Sequence, residues 1–412
     1  MACHTGRFGF LSRAVLGLAL MAVGGAVAAE QVEVLRVQQR YPWNGLVDVD
    51  YAISGIDGDP CDYRIALSFT IETNGVPFTV VASNFNGIAA CDLPTANGTW
   101  RVTWDTAADG VEVVSKKVKA RIGLVYEPVA ESEASYAIID VSGGPSAAMY
   151  PVRYVKDPDL ETSAFNIPLY KTEKIVLKHV SKGEFWMGNG NVSSGEDRHR
   201  VRLTKDYFFG VFPVTQRQYE LVMGSNPVSP AFAADEPGNP AAQRPVGMVS
   251  FNALVAADAF LARIAAKPTS HGAAVPFALP TEAQWEMAAR AGCEMKWPWY
   301  SDAWTKLDDY AWCNKKVSVT QIVGTKPEND WGFFDTLGNV MEWVSDWYAD
   351  YPAFSETEVS ENPKGPAEGT QRIVRGGSIS LDRYYCYPGG RSAQLPTRSS
   401  DEIGFRLART IP

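Results

Sequence analysis

The first third of the chain consists of short stretches in which apolar and polar residues alternate. Examples are VDVDYAI, YRIALSFTI and WRVTWD, and segments rich in Gly, Asn, Asp and Pro, such as SGIDGDP and TANGT, separate them. Alternation with a period of two buries one face of each strand, and turns at this spacing are typical of antiparallel sandwiches. Residues 30–145 are therefore predicted to form an all-β, immunoglobulin-like sandwich. Trp43, Trp100 and Trp104 are expected to lie in its core.

Residues 1–29 have the composition of a secretory signal peptide. Arg7 and Arg13 precede an apolar run from Ala14 to Val27, and small residues suited to cleavage follow that run. A membrane anchor is the alternative, but the run is shorter than the ~20 apolar residues that cross a bilayer. The mature protein is therefore predicted to be secreted or periplasmic, with no transmembrane segment left after cleavage.

The net charge argues against nucleic acid as a partner. The whole chain carries −9 at pH 7, and removal of the two arginines of the signal peptide changes this value to −11. An acidic protein repels phosphate backbones, and the sequence has no stripe of Lys and Arg with interleaved aromatic residues that would overcome this repulsion. We therefore expect no nucleic-acid partner.

Five cysteines remain after removal of the signal peptide, and cysteines of exported proteins tend to pair. Proximity along the chain favours pairing of Cys61 with Cys91 and of Cys293 with Cys313, although connectivity cannot be deduced from sequence. Cys386 is then left over. It is either a small buried apolar residue or a chemically active thiol.

The composition changes after the predicted sandwich. Residues 146–171 contain Gly, Pro and charged residues without periodicity and are predicted to be a linker. The second domain then occupies residues 172–412, where many aromatic residues lie in loop-like segments such as WPWYSDAWT. Regular secondary structure is expected to be sparse in this domain.

Three helices are nevertheless predicted in the second domain. PVTQRQYELVMG and LPTEAQWEMAARAG each begin with a capping box, in which Thr215 or Thr281 is followed by Gln three residues later, and each ends at a glycine. SFNALVAADAFLARIAAKP has its apolar residues at helical spacing and is predicted to be one helix that ends at Pro268.

Seven segments of the second domain resemble, in order and spacing, the formylglycine-generating enzyme family, also called the sulfatase-modifying-factor domain. The resemblance implies an α+β fold, a compact variant of the C-type lectin architecture with little regular secondary structure. Fold alone does not decide function, because the domain also resembles iron-dependent sulfoxide synthases and hypervariable ligand-binding proteins. The segments are GEFWMGN, FFGVFPVTQRQYELVMGSNP, RPVGMVSFNALVAADAFL, ALPTEAQWEMAARAG, WGFFDTLGNVMEWVSDWY, VRGGS and GFRLA.

The resemblance implies a copper(I) site that this chain does not complete. Family oxidases bind copper(I) between two cysteines five residues apart that follow Gly-Gly-Ser, because soft thiolates suit this ion. Counting from Gly376, the serine is Ser378, the first cysteine position holds Leu381, and the second holds Cys386. Leucine cannot ligate a metal. Cys386 and Ser378 remain candidate catalytic residues, although Ser378 is also the type of hydroxyl found in glycine turns.

Further departures from the family pattern indicate a remodelled pocket. Glu402 replaces a pocket asparagine, Met341 replaces a tryptophan, and the segment between Cys386 and Arg391 is shorter than in family oxidases. The histidines of the mature chain lack the H-x3-H spacing of an iron site, so iron is not expected.

A calcium site is predicted in FDTLGNVMEW. The resemblance maps the family's calcium loop onto the side chains of Asp335 and Glu342 and onto the main-chain carbonyls of Gly338 and Val340. Oxygen ligands gathered on a tight turn are those that Ca²⁺ selects. The alternative is that the polar side chains of this segment only cap local backbone turns.

Three functions are compatible with these residues. In the first, residues 379–402 bind a protein, a peptide or another ligand, since their Tyr, Ser, Asp and Arg content resembles that of antibody paratopes. In the second, the protein is a formylglycine-generating oxidase that converts a cysteine of exported sulfatases. The third is a structural scaffold. The candidate contact residues of the first function are Asp382, Arg383, Tyr384, Tyr385, Arg391 and Glu402.

Overall fold

A computed structural model describes most of the chain from residue 31 to residue 412. The predicted signal peptide, Trp43 and the predicted Cys61–Cys91 pair lie outside the described residues. Within the described part, no helix combines the length and the apolar character needed to cross a membrane. The gaps in the description are residues 41–44, 55–62, 74–75, 83, 86–87, 90–92, 94–97, 112–117, 127–128, 148–149, 157–159, 189–197, 267–275, 295–305, 315–318, 354 and 356.

The strands of residues 31–126 form two antiparallel sheets and a short hairpin. Their bounds are β1 (Gln31–Gln39), β2 (Leu46–Ser54), β3 (Tyr63–Thr73), β4 (Val76–Val81), β5 (Asn84–Phe85), β6 (Ile88–Ala89), β7 (Gly98–Asp105) and β8 (Val118–Tyr126). The sheets have the orders β1-β2-β7 and β4-β3-β8. Trp104 of β7 stacks on Phe69 of β3 with ring centroids 4.1 Å apart, so the two sheets share one core. The immunoglobulin-like assignment stays a prediction.

The rest of the chain is a mixed helix and strand domain. Its described sheets have the orders β10-β9-β11-β14-β20, β12-β13-β16 and β18-β17-β15-β19. The strands are β9 (Tyr136–Asp140), β10 (Val152–Val155), β11 (Lys174–Val180), β12 (Gly183–Met187), β13 (His199–Leu203), β14 (Tyr207–Gly210), β15 (Met341–Trp347), β16 (Val359–Glu361), β17 (Arg372–Arg375), β18 (Arg391–Gln394), β19 (Ile403–Gly404) and β20 (Ala408–Thr410). The helices are α1 (Pro168–Thr172), α2 (Gln216–Met223), α3 (Pro230–Ala233), α4 (Phe251–Val255), α5 (Phe260–Ala266), α6 (Glu282–Arg290) and α7 (Leu307–Tyr310).

The strand pairing moves the start of this domain toward the N-terminus. β9 lies in the predicted sandwich and β10 in the predicted linker of residues 146–171, yet both belong to the sheet of β11. Residues 136–140 and 152–155 alternate too briefly to be assigned to one sheet or another from sequence. Because β9 pairs with both β10 and β11, these strands form one sheet of the second domain. The predicted linker of residues 146–171 therefore has to be corrected.

The predicted helix starts are confirmed at α2 and α6, and α2 ends at Gly224 as predicted, whereas the left-handed cap of α6 is Ala291, one residue before Gly292. The third predicted helix is broken. Both capping boxes form, with the hydroxyls of Thr215 and Thr281 accepting hydrogen bonds from backbone N–H groups. The helix predicted to begin at Ser250 is two helices, α4 and α5, because Ala256 is extended. At about 100° per residue, Phe251 and Phe260 would point in opposite directions from one continuous helix. The break buries both side chains in the same core.

A buried ion pair joins several elements of the domain. Nε and Nη2 of Arg406 each donate to an oxygen of Glu342 at 2.7 Å. The same guanidinium donates to the carbonyl oxygens of Gly210 and Phe334, and Nε1 of Trp285 donates to Glu342 at 2.7 Å. Because these side chains are almost wholly buried, water does not compete for their hydrogen bonds.

The backbone at Gly338 lies so close to the backbone of Trp312 that there is no room for a side chain. Its φ is +77°, and a Cβ there would lie 2.3 Å from the carbonyl oxygen of Trp312. Gly338→Ala should therefore lower the free energy of unfolding by about 2 kcal/mol or more. Gly238 has a similar φ of +72° but nothing within 4 Å of its would-be Cβ, so Gly238→Ala should cost only about 1 kcal/mol. Equal losses in urea unfolding of the two variants would contradict the steric argument.

Candidate functional site

A pocket of about 400 Å³ opens at the end of β17. Most of its lining comes from residues 376–394, so it includes much of the segment predicted to bind a ligand. Its size is that of sites that hold a small molecule or a side chain of a partner. The lining residues are Met341, Val374, Gly376, Gly377, Leu381, Tyr384, Tyr385, Tyr387, Gly390, Arg391, Ser392 and Gln394.

Two glycines turn the chain from β17 into the pocket wall. Gly376 and Gly377 have φ values of +92° and +74°, which favour glycine. A Cβ at Gly377 would lie 2.5 Å from the sulfur of Cys386, so this thiol packs directly against the turn. Ser378 follows the turn, is fully buried, and donates its hydroxyl hydrogen to Glu402 at 2.5 Å. Ser378 therefore contributes to the loop's structure and is not among the pocket-lining residues.

Two tyrosines form the exposed part of the pocket wall. Tyr384 and Tyr385 are 60% and 61% exposed and lie in the 3-10 helix Arg383–Tyr385. The carboxylate of Asp382 caps this helix by accepting a hydrogen bond from the backbone N–H of Tyr384 at 3.0 Å. Asp382 and Arg383 thus lie beside the pocket without lining it. Large aromatic side chains left this exposed are typical of interaction surfaces.

Three arginines beneath the pocket share two buried carboxylates. Arg391 donates from Nε and Nη2 to the two oxygens of Glu282, both at 2.9 Å. Arg375 contacts Glu282 at 3.1 Å and also pairs with Glu286, which a third arginine, Arg290, contacts at 2.6 Å. Burial opposes ionisation of Glu286, but Arg290 and Arg375 outweigh it and lower the pKa of that carboxyl. All three nitrogens of the Arg391 guanidinium therefore already donate, two to Glu282 and one to the Ala349 carbonyl.

The same network contains a carboxyl with a raised pKa. Asp346 accepts hydrogen bonds from the backbone N–H of Glu282 at 2.8 Å and from the hydroxyl of Ser345 at 3.0 Å. Burial, followed by the nearby negative charge of Glu282, raises the pKa of Asp346 to about 7. This carboxyl therefore binds a proton near neutral pH.

Cys386 lies behind the pocket wall and beside a second thiol. Cys386 and Cys313 are both fully buried and lie in the same apolar cluster. The structure does not form the predicted pair of Cys293 with Cys313, and Cys313 instead lies in an apolar cluster with Cys386. The sequence suggested that pairing only because the two residues are close along the chain, whereas folding brings Cys313 to Cys386.

Comparison with known proteins agrees with this architecture. The family profile described as "Sulfatase-modifying factor enzyme 1-like domain" matches residues 169–411, which is more than half of the chain. The chain belongs to this family. The resemblance seen in the sequence is therefore confirmed, together with a mixed helix and strand fold of the formylglycine-generating-enzyme type.

Individual relatives show how far the similarity extends. The mouse (Mus musculus) formylglycine-generating enzyme is 37% identical over 145 residues, which are 32% of this chain and 38% of that protein. A serine/threonine-protein kinase of Chlamydia pneumoniae is 34% identical over 135 residues, 32% of this chain and 21% of the kinase. Treponema denticola variable protein 1 superposes with a TM-score of 0.51 at 29% identity, covering 58% of this chain and 96% of the other. The chain thus spans well under half the length of the curated relatives named here.

The family's copper pair does not fit the residues present. Leu381 occupies the first position, has no donor atom and lines the pocket, whereas Cys386 in the second position faces the interior. Among the residues that the structure describes, no three or more His, Cys, Asp and Glu side chains are grouped to hold a metal ion. We therefore derive no chemistry from copper at positions 381 and 386.

The residues predicted to bind calcium already have other partners. Both oxygens of Glu342 accept hydrogen bonds from Arg406, and one also accepts from Trp285. Asp335 accepts from the backbone N–H of Gly324 at 2.6 Å, and burial raises its pKa to about 6. A carboxylate paired with a guanidinium is a poor calcium ligand because the positive charge is already in place. The calcium site, including the Gly338 and Val340 carbonyls, stays a prediction.

Sequence reasoning missed three parts of the site. Met341 and Leu381 were noted only as departures from the family pattern, yet both line the pocket. Glu282 lies in a helix that was predicted correctly, but its ion pairs with Arg375 and Arg391 join positions far apart in sequence and gave no local signal. Cys313 gave no local signal, because its contact with Cys386 joins positions far apart in sequence.

The raised pKa of Asp346 predicts a pH-dependent stability. The folded pKa of about 7 lies above the unfolded value near 3.8, so the folded state binds the extra proton and the Asp346 contribution to stability falls as pH rises from 4 to 7. Asp346→Asn should therefore reduce the loss of unfolding free energy between pH 5 and pH 8 by about 2–3 kcal/mol. Urea unfolding at both pH values measures it. Asn at the exposed position Asp350 is the control, and the same pH difference in wild type and Asp346→Asn would refute the assignment.

Proposed function

We propose that this protein is an exported, divergent member of the sulfatase-modifying-factor family that binds a protein or peptide ligand through residues 379–402. The observation that carries the proposal is the pocket at the end of β17, whose rim consists of the exposed side chains of Tyr384 and Tyr385. Export rests on the composition of residues 1–29. The proposal differs from oxidation of a sulfatase because the ligand is held and not converted.

The lining chemistry indicates what kind of ligand fits. Leu381, Met341 and Tyr387 provide apolar surface, while Ser392 and Gln394 provide a few hydrogen-bonding groups. Tyrosine adds contact area at low cost in side-chain entropy, which suits the recognition of peptides. Since Arg391, the charged residue of the described lining, already donates to Glu282 and Ala349, it is poorly placed to bind a strongly anionic ligand. An extended peptide with an apolar or aromatic anchor side chain suits this surface best.

A selected peptide tests this function directly. The full mature chain is panned against a library of random displayed peptides, and the affinity of an enriched peptide is measured by fluorescence anisotropy. Tyr385→Ser and Leu381→Glu should each weaken binding by about tenfold or more, because they remove an anchor contact or place a charge in the apolar lining.

The matched control is Val255→Ser, which removes an exposed apolar side chain of α4 that does not line the pocket. This variant should bind the peptide as wild type does. No enrichment over a library panned without protein, or equal losses in all three variants, would refute binding through this pocket.

Formylglycine generation is the alternative function, and the similarity to the mouse enzyme of that name favours it. We expect no activity, because Leu381 removes one of the two copper-binding sulfurs. The test is incubation of copper-loaded protein with a C-x-P-x-R peptide, followed by mass analysis for conversion of the cysteine to formylglycine. Conversion by wild type that is lost in Cys386→Ser would establish the oxidase and overturn our expectation.

A further inference from the structure

Two buried thiols from distant parts of the chain meet behind the pocket wall. Cys313 follows α7, and Cys386 lies at the C-terminal end of the 3-10 helix that carries Tyr384 and Tyr385. Neither cysteine side chain is exposed, and both belong to the same small buried cluster. The apolar cluster around them consists of Leu307, Ala311, Leu337 and Tyr387.

Backbone contacts hold the two cysteine-bearing segments together. The N–H of Asn314, next to Cys313, donates to the carbonyl oxygen of Leu381 at 2.8 Å. The sulfur of Cys386 approaches the carbonyl oxygens of Ser378 at 3.8 Å and Asp382 at 4.0 Å. The thiols are therefore brought together by the fold itself, which removes most of the entropic cost of joining them.

We propose that Cys313 and Cys386 form a disulfide in the oxidised protein, and that this bond fixes the wall of the pocket formed by residues 381–387. The crosslink would tie the tyrosine-bearing helix to the segment after α7. The effect on ligand binding rests on the proposed function, whereas the crosslink itself does not.

The oxidation balances through thiol–disulfide exchange. Each thiol loses one proton and one electron as the sulfur–sulfur bond forms, and a disulfide of an oxidoreductase or of oxidised glutathione is reduced to two thiols. Exchange requires a thiolate that can reach the oxidant. The hydrogen bond with Cys313 and burial raise the pKa of Cys386, so we expect oxidation to proceed while the 381–387 segment opens transiently.

Peptide mapping decides whether the bond forms. The full mature chain is equilibrated with oxidised or reduced glutathione, denatured, alkylated without reduction, digested and analysed by mass spectrometry. We expect a linked pair of peptides containing Cys313 and Cys386 after oxidation, and alkylation of both residues after reduction. Cys293, a third buried cysteine, should be alkylated in both samples. Alkylation of both Cys313 and Cys386 after oxidation, or a link from either of them to Cys293, would overturn the proposal.

Stability and exchange measurements test what the bond does. Oxidation should raise the melting temperature of wild type by about 5 °C or more, since it closes a long loop. It should also slow amide hydrogen exchange in residues 381–387 by about tenfold. Cys313→Ala should lose both effects, while Cys293→Ala should retain them. Equal responses of these two variants would refute the bond's role in fixing the wall.

The outcome is independent of ligand binding. A mapped Cys313–Cys386 disulfide in a protein that selects no peptide would support the crosslink and refute the proposed function. Peptide binding by a protein whose two cysteines never link would do the reverse. If both hold, the selected peptide should bind the oxidised and reduced forms with different affinities, and identical affinities would refute control of binding by this bond.

Discussion

The buried pair of Glu342 and Arg406 is the contact on which the rest of the second domain depends. Two charges removed from water are costly unless each is fully paired and hydrogen-bonded. Here Arg406 also satisfies the carbonyls of Gly210 and Phe334, and Trp285 completes Glu342. Loss of either partner would leave an uncompensated buried charge. The pair therefore fixes β15 against α6 and the C-terminal segment.

The position of the pocket follows from that arrangement. Glu342 lies in β15, which pairs with β17, and β17 ends at the glycine turn that begins the pocket wall. Arg375, the last residue of β17, is held in turn by Glu282 and Glu286 of α6. Helix α6 thus contacts both β15, through Trp285, and β17, through Glu282 and Glu286. Rim residues such as Tyr384 are outside these networks, so their identity can change with little effect on the fold.

Local signals in the sequence predicted local structure well. The capping boxes at Thr215 and Thr281 depend on four consecutive residues each, and both form as predicted. Helical spacing of the apolar residues holds on either side of Ala256 but not across it, so a prediction over the whole of residues 250–268 conceals the break. The pairing of β9 and β10 with β11, and the contact of Cys313 with Cys386, join segments whose proximity depends on the whole fold. No local pattern specifies such contacts.

The two positions that the resemblance assigns to a copper pair have different surroundings in this chain. Leu381 lines the pocket, while Cys386 is buried against the glycine turn with Cys313 as its neighbour. Leucine has no donor atom, so position 381 supplies no sulfur beside Cys386. The two proposals for this wall, a ligand at the exposed tyrosines and a disulfide at Cys386, therefore depend on the exposed and the buried side of one short segment.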